Sequence, residues 1–311
     1  MEKLIQRILA LRNPTVVGLD PKLDYIPEPV KQAAFARHGR TLQGAAAAYL
    51  EFNQRIIDAV CDIVPAVKPQ CAYYEALGWP GMRCLAETIA YAHARGMYVI
   101  TDGKRNDIGS TMQAYAAAHL GQVEIDGELC TPFGGDALTV NGYLGSDGIK
   151  PLLEILQGDA GKGIFVLCKT SNPSADELQD QVLEGGESIY GLMGDLCERW
   201  GRQAALDSYG YSQVGAVVGA TWPAQLAELR GRLPHTFFLV PGYGAQGGGA
   251  KDVAGAFDQN GLGAIVNSSR AVLTAWKKQG VPGEQFAQAA RAEALRMRED
   301  LLSAIPPMVQ P

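Results

Sequence analysis

The sequence predicts an α/β protein folded as a closed (β/α)8 barrel, with insertions on its C-terminal face. Eight short β-branched apolar runs recur along the 311 residues, each ending in Gly, Asp, Lys, Arg or Thr. Runs such as Ile164-Phe165-Val166-Leu167 are apolar without alternation, as parallel strands covered on both faces require. The segments between them are rich in alanine and have helical spacing, which supplies that cover. Repeated strand and helix alternation of this kind favours a barrel. An open doubly wound sheet stays as the alternative, weakened because no Gly-x-Gly-x-x-Gly follows the first run.

Taken in order, charged Glu2, Lys3, Arg7 and Arg12 break up the N-terminal apolar positions, so no signal core is expected there. The first run, 15–20, closes on Asp20 and is followed by a long segment, 21–43, and a helix over 44–62. The second run, 64–68, ends on Lys68, and a helix over 81–95 leads to the third, 98–104. A helix over 108–120 and a long segment, 121–135, precede the fourth run, 136–142. A helix over 148–156 then leads to the fifth, 163–170. A third long segment, 171–187, and a helix over 188–206 bring the chain to the sixth run, 214–221. A helix over 223–230 precedes the seventh run, 236–244, and the eighth, 263–270, precedes a helix over 284–302. The proline-rich end from Ile305 reads as frayed. The segments 21–43 and 171–187 leave strand C-termini, where barrel enzymes carry their active face, whereas 121–135 enters a strand from a helix end.

A chain this long, 47% hydrophobic, buries a large core as one domain over residues 1–311. The net charge of -6, from 33 acidic and 27 basic residues, offers no basic face for nucleic acid. No apolar run approaches the roughly 20 residues that a membrane helix needs. The six cysteines form no C-x-x-C pair, so neither structural zinc nor a disulfide framework is expected, and a cytoplasmic compartment follows.

Chemistry concentrates at the ends of the runs. Asp102 and Lys104 are two apart and share a face if the third strand persists; Asp107 stands where a helix begins, with Thr111 one turn on. The plainer reading makes Asp102-Gly103 a turn pair, Asp107 a helix cap and Lys104 a solvated charge. Asp20 and Lys68 shift the balance, because each ends an apolar run where an unpaired charge is expensive. Opposite charges meeting at one mouth offset that cost. The glycine-rich stretch from Pro241 to Gly249 and Asn267-Ser268-Ser269-Arg270 follow the last two strands, where barrels bind phosphate. Arg270 would grip a phosphate dianion, and Gln246 would reach across from its loop. His93 and His119 read as outer-face or packing residues, Cys71 and Cys168 as buried packing, and Tyr73, Tyr74 and Trp79 as either mouth or core.

The hexapeptide Asp102-Gly103-Lys104-Arg105-Asn106-Asp107 resembles the Asp-x-Lys-x-x-Asp signature of the orotidine 5'-phosphate decarboxylase family. Gly18-Leu19-Asp20-Pro21, Val67-Lys68-Pro69, Lys169-Thr170-Ser171-Asn172, the Gln246 loop and Ser269-Arg270 follow in that family's order. The long segments resemble its longer bacterial subgroup. The resemblance implies a carbon–carbon lyase that converts orotidine 5'-phosphate to uridine 5'-phosphate with neither metal nor organic cofactor. It makes Lys104 the proton donor within a charge network completed by Lys68, Asp102 and Asp107. Asp20, Thr111, Ser171, Gln246, Ser269 and Arg270 become substrate-binding residues. It also implies a homodimer, with Asp107 and Thr111 entering the neighbouring subunit's site.

Two rivals remain at this level. A magnesium-dependent sugar-phosphate aldolase or decarboxylase on the same scaffold would carry a carboxylate where Lys68 stands, and an ammonium offers a metal no lone pair. A noncatalytic nucleotide-phosphate-binding barrel would keep the fold without turnover, against which Lys68, Asp102, Lys104 and Asp107 stand intact.

Overall fold

The computed structural model describes residues 1–203, 205–244 and 249–309. All eight apolar runs become parallel strands: β1 (Thr15–Leu19), β2 (Ala66–Pro69), β3 (Tyr98–Arg105), β4 (Ala137–Val140), β5 (Gly163–Lys169), β6 (Val214–Val218), β7 (Phe238–Val240) and β8 (Ala264–Ser268). They close in sequence order, with β8 paired to β1.

Alternation along the strands sorts their side chains into two layers. Val16, Ala66, Ile100, Phe165, Leu239 and Ile265 pack together inside the barrel. Their neighbours, among them Val17, Val67, Val99, Val166 and Val240, face outward onto the helices. Continuing the inward alternation toward the strand C-termini brings Asp20, Lys68, Asp102, Thr139 and Ser269 to the lumen mouth. The lower lumen is therefore apolar and its upper rim polar.

A helix that the sequence reading left out, Glu2–Leu11, plugs the lower end with Met1, Leu4, Ile5 and Ile8, all buried against the lumen cluster. Its apolar residues recur at one-turn spacing, and the charges between them interrupt the apolar run without breaking that helical period. The segment 21–43 is likewise ordered, with a helix over Glu28–His38 whose Val30 and Ala34 are buried. The segment 121–135 carries a hairpin, Val123–Ile125 against Glu128–Cys130, exposed along both strands. It belongs to a helix-to-strand connection, unlike the two segments that follow β1 and β5.

Neither His93 nor His119 reaches the mouth. His119 is buried and stacks on Phe133 with ring centroids 5.1 Å apart. His93 Nε2 lies 2.8 Å from Asp136 Oδ2, and Lys3 Nζ donates to the other oxygen at 2.6 Å, so this carboxylate ties the N-terminal helix to the foot of β4. Burial, then the charge of Arg105, pushes the His119 imidazole down to about 4 from 6.5. Between those values the unfolded chain binds a proton that the folded chain refuses, so stability falls as pH drops from 6.5 toward 4. The contribution is on the order of 3 kcal/mol. Urea unfolding at about pH 7 and about pH 4.5 should show this loss, and His119→Gln should shrink it. An equal loss in the variant would assign the acid sensitivity elsewhere.

Candidate active site

β3 ends irregularly, and this shapes the site. Four residue steps of β3, Thr101 to Arg105, stand against two of β4, Leu138 to Val140. Lys104 takes a left-handed backbone with φ of 47°, which a residue with a Cβ adopts only at a cost. The expectation that a persisting strand places Asp102 and Lys104 on one face is thereby corrected. A bulge, not alternation, turns Lys104 back so that its Nζ donates to Asp102 Oδ1 at 2.6 Å. Thr139 holds the bulge in place: Lys104 N donates to its Oγ1 at 3.0 Å, and that hydroxyl donates to Asp102 Oδ1 at 2.8 Å.

The second oxygen of Asp102 accepts from Lys68 Nζ at 2.5 Å, reaching across from β2. Lys68 and Asp102 are almost wholly buried, while the Lys104 side chain is 46% exposed. Burial opposes charge on Asp102, but the two ammonium groups outweigh it and hold the carboxyl well below its usual range. Burial likewise opposes charge on Lys68, and the fields of Asp102 and then Asp20 raise its pKa above the ordinary value. Lys68 and Asp102 therefore stay ionised at neutral pH, sealed in together, while the Lys104 side chain faces outward.

Beside it opens a cavity of about 690 Å³ lined by Asp20, Tyr73, Tyr243, Asn267, Ser269 and Arg270, among others. Asp20 Oδ1 and Asn267 Oδ1 are buried without a hydrogen-bond partner among the described residues, so each can accept from a ligand hydroxyl. Gly18 is required here, since a Cβ on it would stand 1.8 Å from Ser269 Oγ. Ser171 lies above the ends of β6 and β7, where a Cβ on Gly219 would come within 2.8 Å of its own Cβ.

The structure thus brings Lys68, Asp102 and Lys104 together and gathers Asp20, Ser269 and Arg270 around the adjoining cavity. Asp107 and Thr111 stay apart from both. Asp107 Oδ1 accepts from the neighbouring Ile108 N at 2.8 Å, and Thr111 is exposed. Gln246 lies outside the described residues. Of the aromatic candidates, Tyr73 lines the cavity, Tyr74 is core, and Trp79 is 70% exposed. Burial pushes the thiols of Cys71 and Cys168 up to about 12, which leaves them protonated and inert. Thr139 escaped the sequence reading, although it is the polar member of the short run Ala137-Leu138-Thr139-Val140.

Known proteins resemble this chain over most of its length. Residues 17–281 match the family described as orotidine 5'-phosphate decarboxylase / HUMPS. The orotidine 5'-phosphate decarboxylase of Rhodopirellula baltica is 47% identical, covering 94% of this chain and 96% of its own. That of Clostridium tetani is 41% identical, covering 98% of each. Among solved structures, the Leishmania donovani OMP decarboxylase superposes with a TM-score of 0.74 at 30% identity, covering 97% of each chain.

Proposed function

The chain belongs to the orotidine 5'-phosphate decarboxylase / HUMPS family, and from that premise we propose a residue-by-residue account of its reaction. It is a lyase that decarboxylates orotidine 5'-phosphate in pyrimidine synthesis. The observation that carries the account is the Lys68–Asp102–Lys104 array beside the Arg270 cavity.

Arg270 and Ser269 take the phosphate, Asp20 and Lys68 the ribose hydroxyls, and Ser171 with Gln246 the amide edge of the pyrimidine. The C6 carboxylate then faces Asp102, whose charge destabilises the bound anion. As the bond from C6 to the carboxyl carbon breaks, carbon dioxide leaves and the electron pair stays on C6, beside the Lys104 ammonium. Lys104 stabilises that pair and transfers a proton to it, and its half-exposed nitrogen is recharged from water. The reaction needs a positive charge and a proton at C6, and Lys104 supplies both without a cofactor. A magnesium ion would meet an Asp102 already holding an ammonium on each oxygen, which speaks against the sugar-phosphate branch. Purified protein in excess chelator should turn orotidine 5'-phosphate into uridine 5'-phosphate; turnover only on adding magnesium would overturn the account.

Asp107 and Thr111 act across a homodimer interface. Ile108, next to Asp107, is an exposed large apolar residue, and Leu144, another, lies close to the Gly148 backbone that Asp107 packs against. Mixing Lys104→Ala with Asp107→Ala protein should restore roughly a quarter of wild-type activity, since a two-fold heterodimer regains one intact site. No recovery after subunit exchange would contradict shared sites. The described residues contain no helix long and apolar enough to cross a membrane, and the six free thiols suit a reducing cytoplasm.

A further inference from the structure

One buried charge near the mouth takes no part in this chemistry. β5 shifts register against β6 between Leu167 and Lys169, and Lys169 aligns with Val218, an outward-facing position. The shift turns the side chain out of the lumen, as bulges beside active sites do. Its ammonium is fully buried, donates to Asp180 Oδ1 at 2.6 Å, and lies 4.4 Å from the Trp222 ring centroid. Asp180 belongs to the segment 171–187, and Trp222 follows β6, so one cation joins three parts of the rim.

Trp222 and Gln179, the residue before Asp180, also hold Thr170, which in turn bonds across Ser171 to Asn172. Trp222 Nε1 donates to Thr170 O at 2.8 Å, and Thr170 N donates to Gln179 Oε1 at 2.8 Å. Gln179 Nε2 returns a bond to Thr170 Oγ1 at 2.7 Å, and that hydroxyl donates to Asn172 Oδ1 at 2.6 Å. Among the described residues no side chain bonds to Ser171 Oγ, which leaves it available to a ligand. A buried ion pair contributes little net stability over an apolar pair of the same shape. What it does supply is direction: an ammonium without water must keep its carboxylate, so Asp180 and the segment carrying it hold one position.

We propose that Lys169, through Asp180 and Trp222, clamps the Thr170–Asn172 segment and so positions Ser171 against the pyrimidine amide edge. Lys169 is then a positioning residue, sealed from substrate, and the inference rests on the reading of Ser171 given above. It also gives the segment 171–187 a task, that of completing the substrate's recognition surface rather than extending the rim.

A double-mutant cycle tests this. Lys169→Met and Asp180→Asn should each lower kcat/KM for orotidine 5'-phosphate roughly tenfold, mainly through KM; Lys169→Met should leave the thermal midpoint little changed, whereas Asp180→Asn, which strands the buried ammonium, should lower it. Combined with Ser171→Ala, neither should lose more than roughly twofold beyond Ser171→Ala alone, because all act through one contact. Asp180 is one-third exposed, so Lys169→Met leaves its carboxylate within reach of water, and Lys169→Met/Asp180→Asn, which removes both charges, carries the cycle if either single variant fails to fold. Additive losses, or wild-type kinetics in both clamp variants beside an impaired Ser171→Ala, would overturn the clamp. An unimpaired Ser171→Ala would overturn it too, and would place the failure in the reading of Ser171.

Discussion

Lys104→Ala should reduce kcat by roughly 10^4-fold while leaving the affinity for uridine 5'-phosphate within about tenfold. If Lys104 acts as proposed, the substitution removes the proton that C6 receives and the positive charge that meets its electron pair. It leaves Arg270, Ser269 and Asp20 around the cavity, and Asp102 keeps its bonds from Lys68 and Thr139. Ground-state binding and fold should therefore survive. Lys104→Arg should not rescue turnover, because a guanidinium keeps its proton at any pH the protein tolerates. Steady-state kinetics beside calorimetric binding of the product would separate the two effects. A kcat within tenfold of wild type would remove Lys104 from the chemistry.

Asp102→Asn should have the next largest effect, with kcat falling on the order of 10^3-fold, and unlike Lys104→Ala it should also destabilise the protein. Two ammonium groups lose the anion between them, so Lys104 is no longer aimed and the substrate carboxylate meets no opposing charge. Lys68 suffers more, since burial opposes its charge and the Asp102 field is the largest effect keeping it protonated. Stranding a buried charge costs roughly 3–5 kcal/mol.

The sign with pH reverses as well. In the wild type the Lys68 pKa is raised, so its contribution is fully present below the unfolded value of 10.5 and is lost only as pH climbs through the folded value. In the variant burial wins, the folded value drops below the unfolded one, and stability rises toward alkaline pH. Denaturant unfolding at about pH 7 and about pH 9 should thus show gain in Asp102→Asn and no gain in the wild type. Parallel profiles would mean that Lys68 is not held charged by Asp102.

Most of the barrel was legible because parallel strands covered on both faces leave uninterrupted apolar runs, and each run here proved to be a strand. The mouth was legible for a related reason. Asp20, Lys68 and Asp102 lie at or just past the ends of such runs, where a charge has no cheap place except beside another. The aim of Lys104 was not legible, because a left-handed backbone at a lysine follows from the pairing of β3 with β4 and from Thr139. Nor was Lys169 distinguishable from a lumen residue, since alternation predicts one face and the register shift delivers the other. Asp107 and Thr111 meet none of these mouth residues within one chain, so the part proposed for them rests on a family likeness and not on the fold of a single copy.

The central claim is that Lys104 protonates a C6 carbanion, and the reverse direction tests it without decarboxylation. Wild-type protein incubated with uridine 5'-phosphate in D2O should slowly place deuterium at C6, because the carbanion reached from product is the one reached from substrate. Lys104→Ala, although it still binds product, should leave C6 undeuterated under the same conditions. Undiminished exchange in the variant would contradict the account and assign the proton transfer to another group.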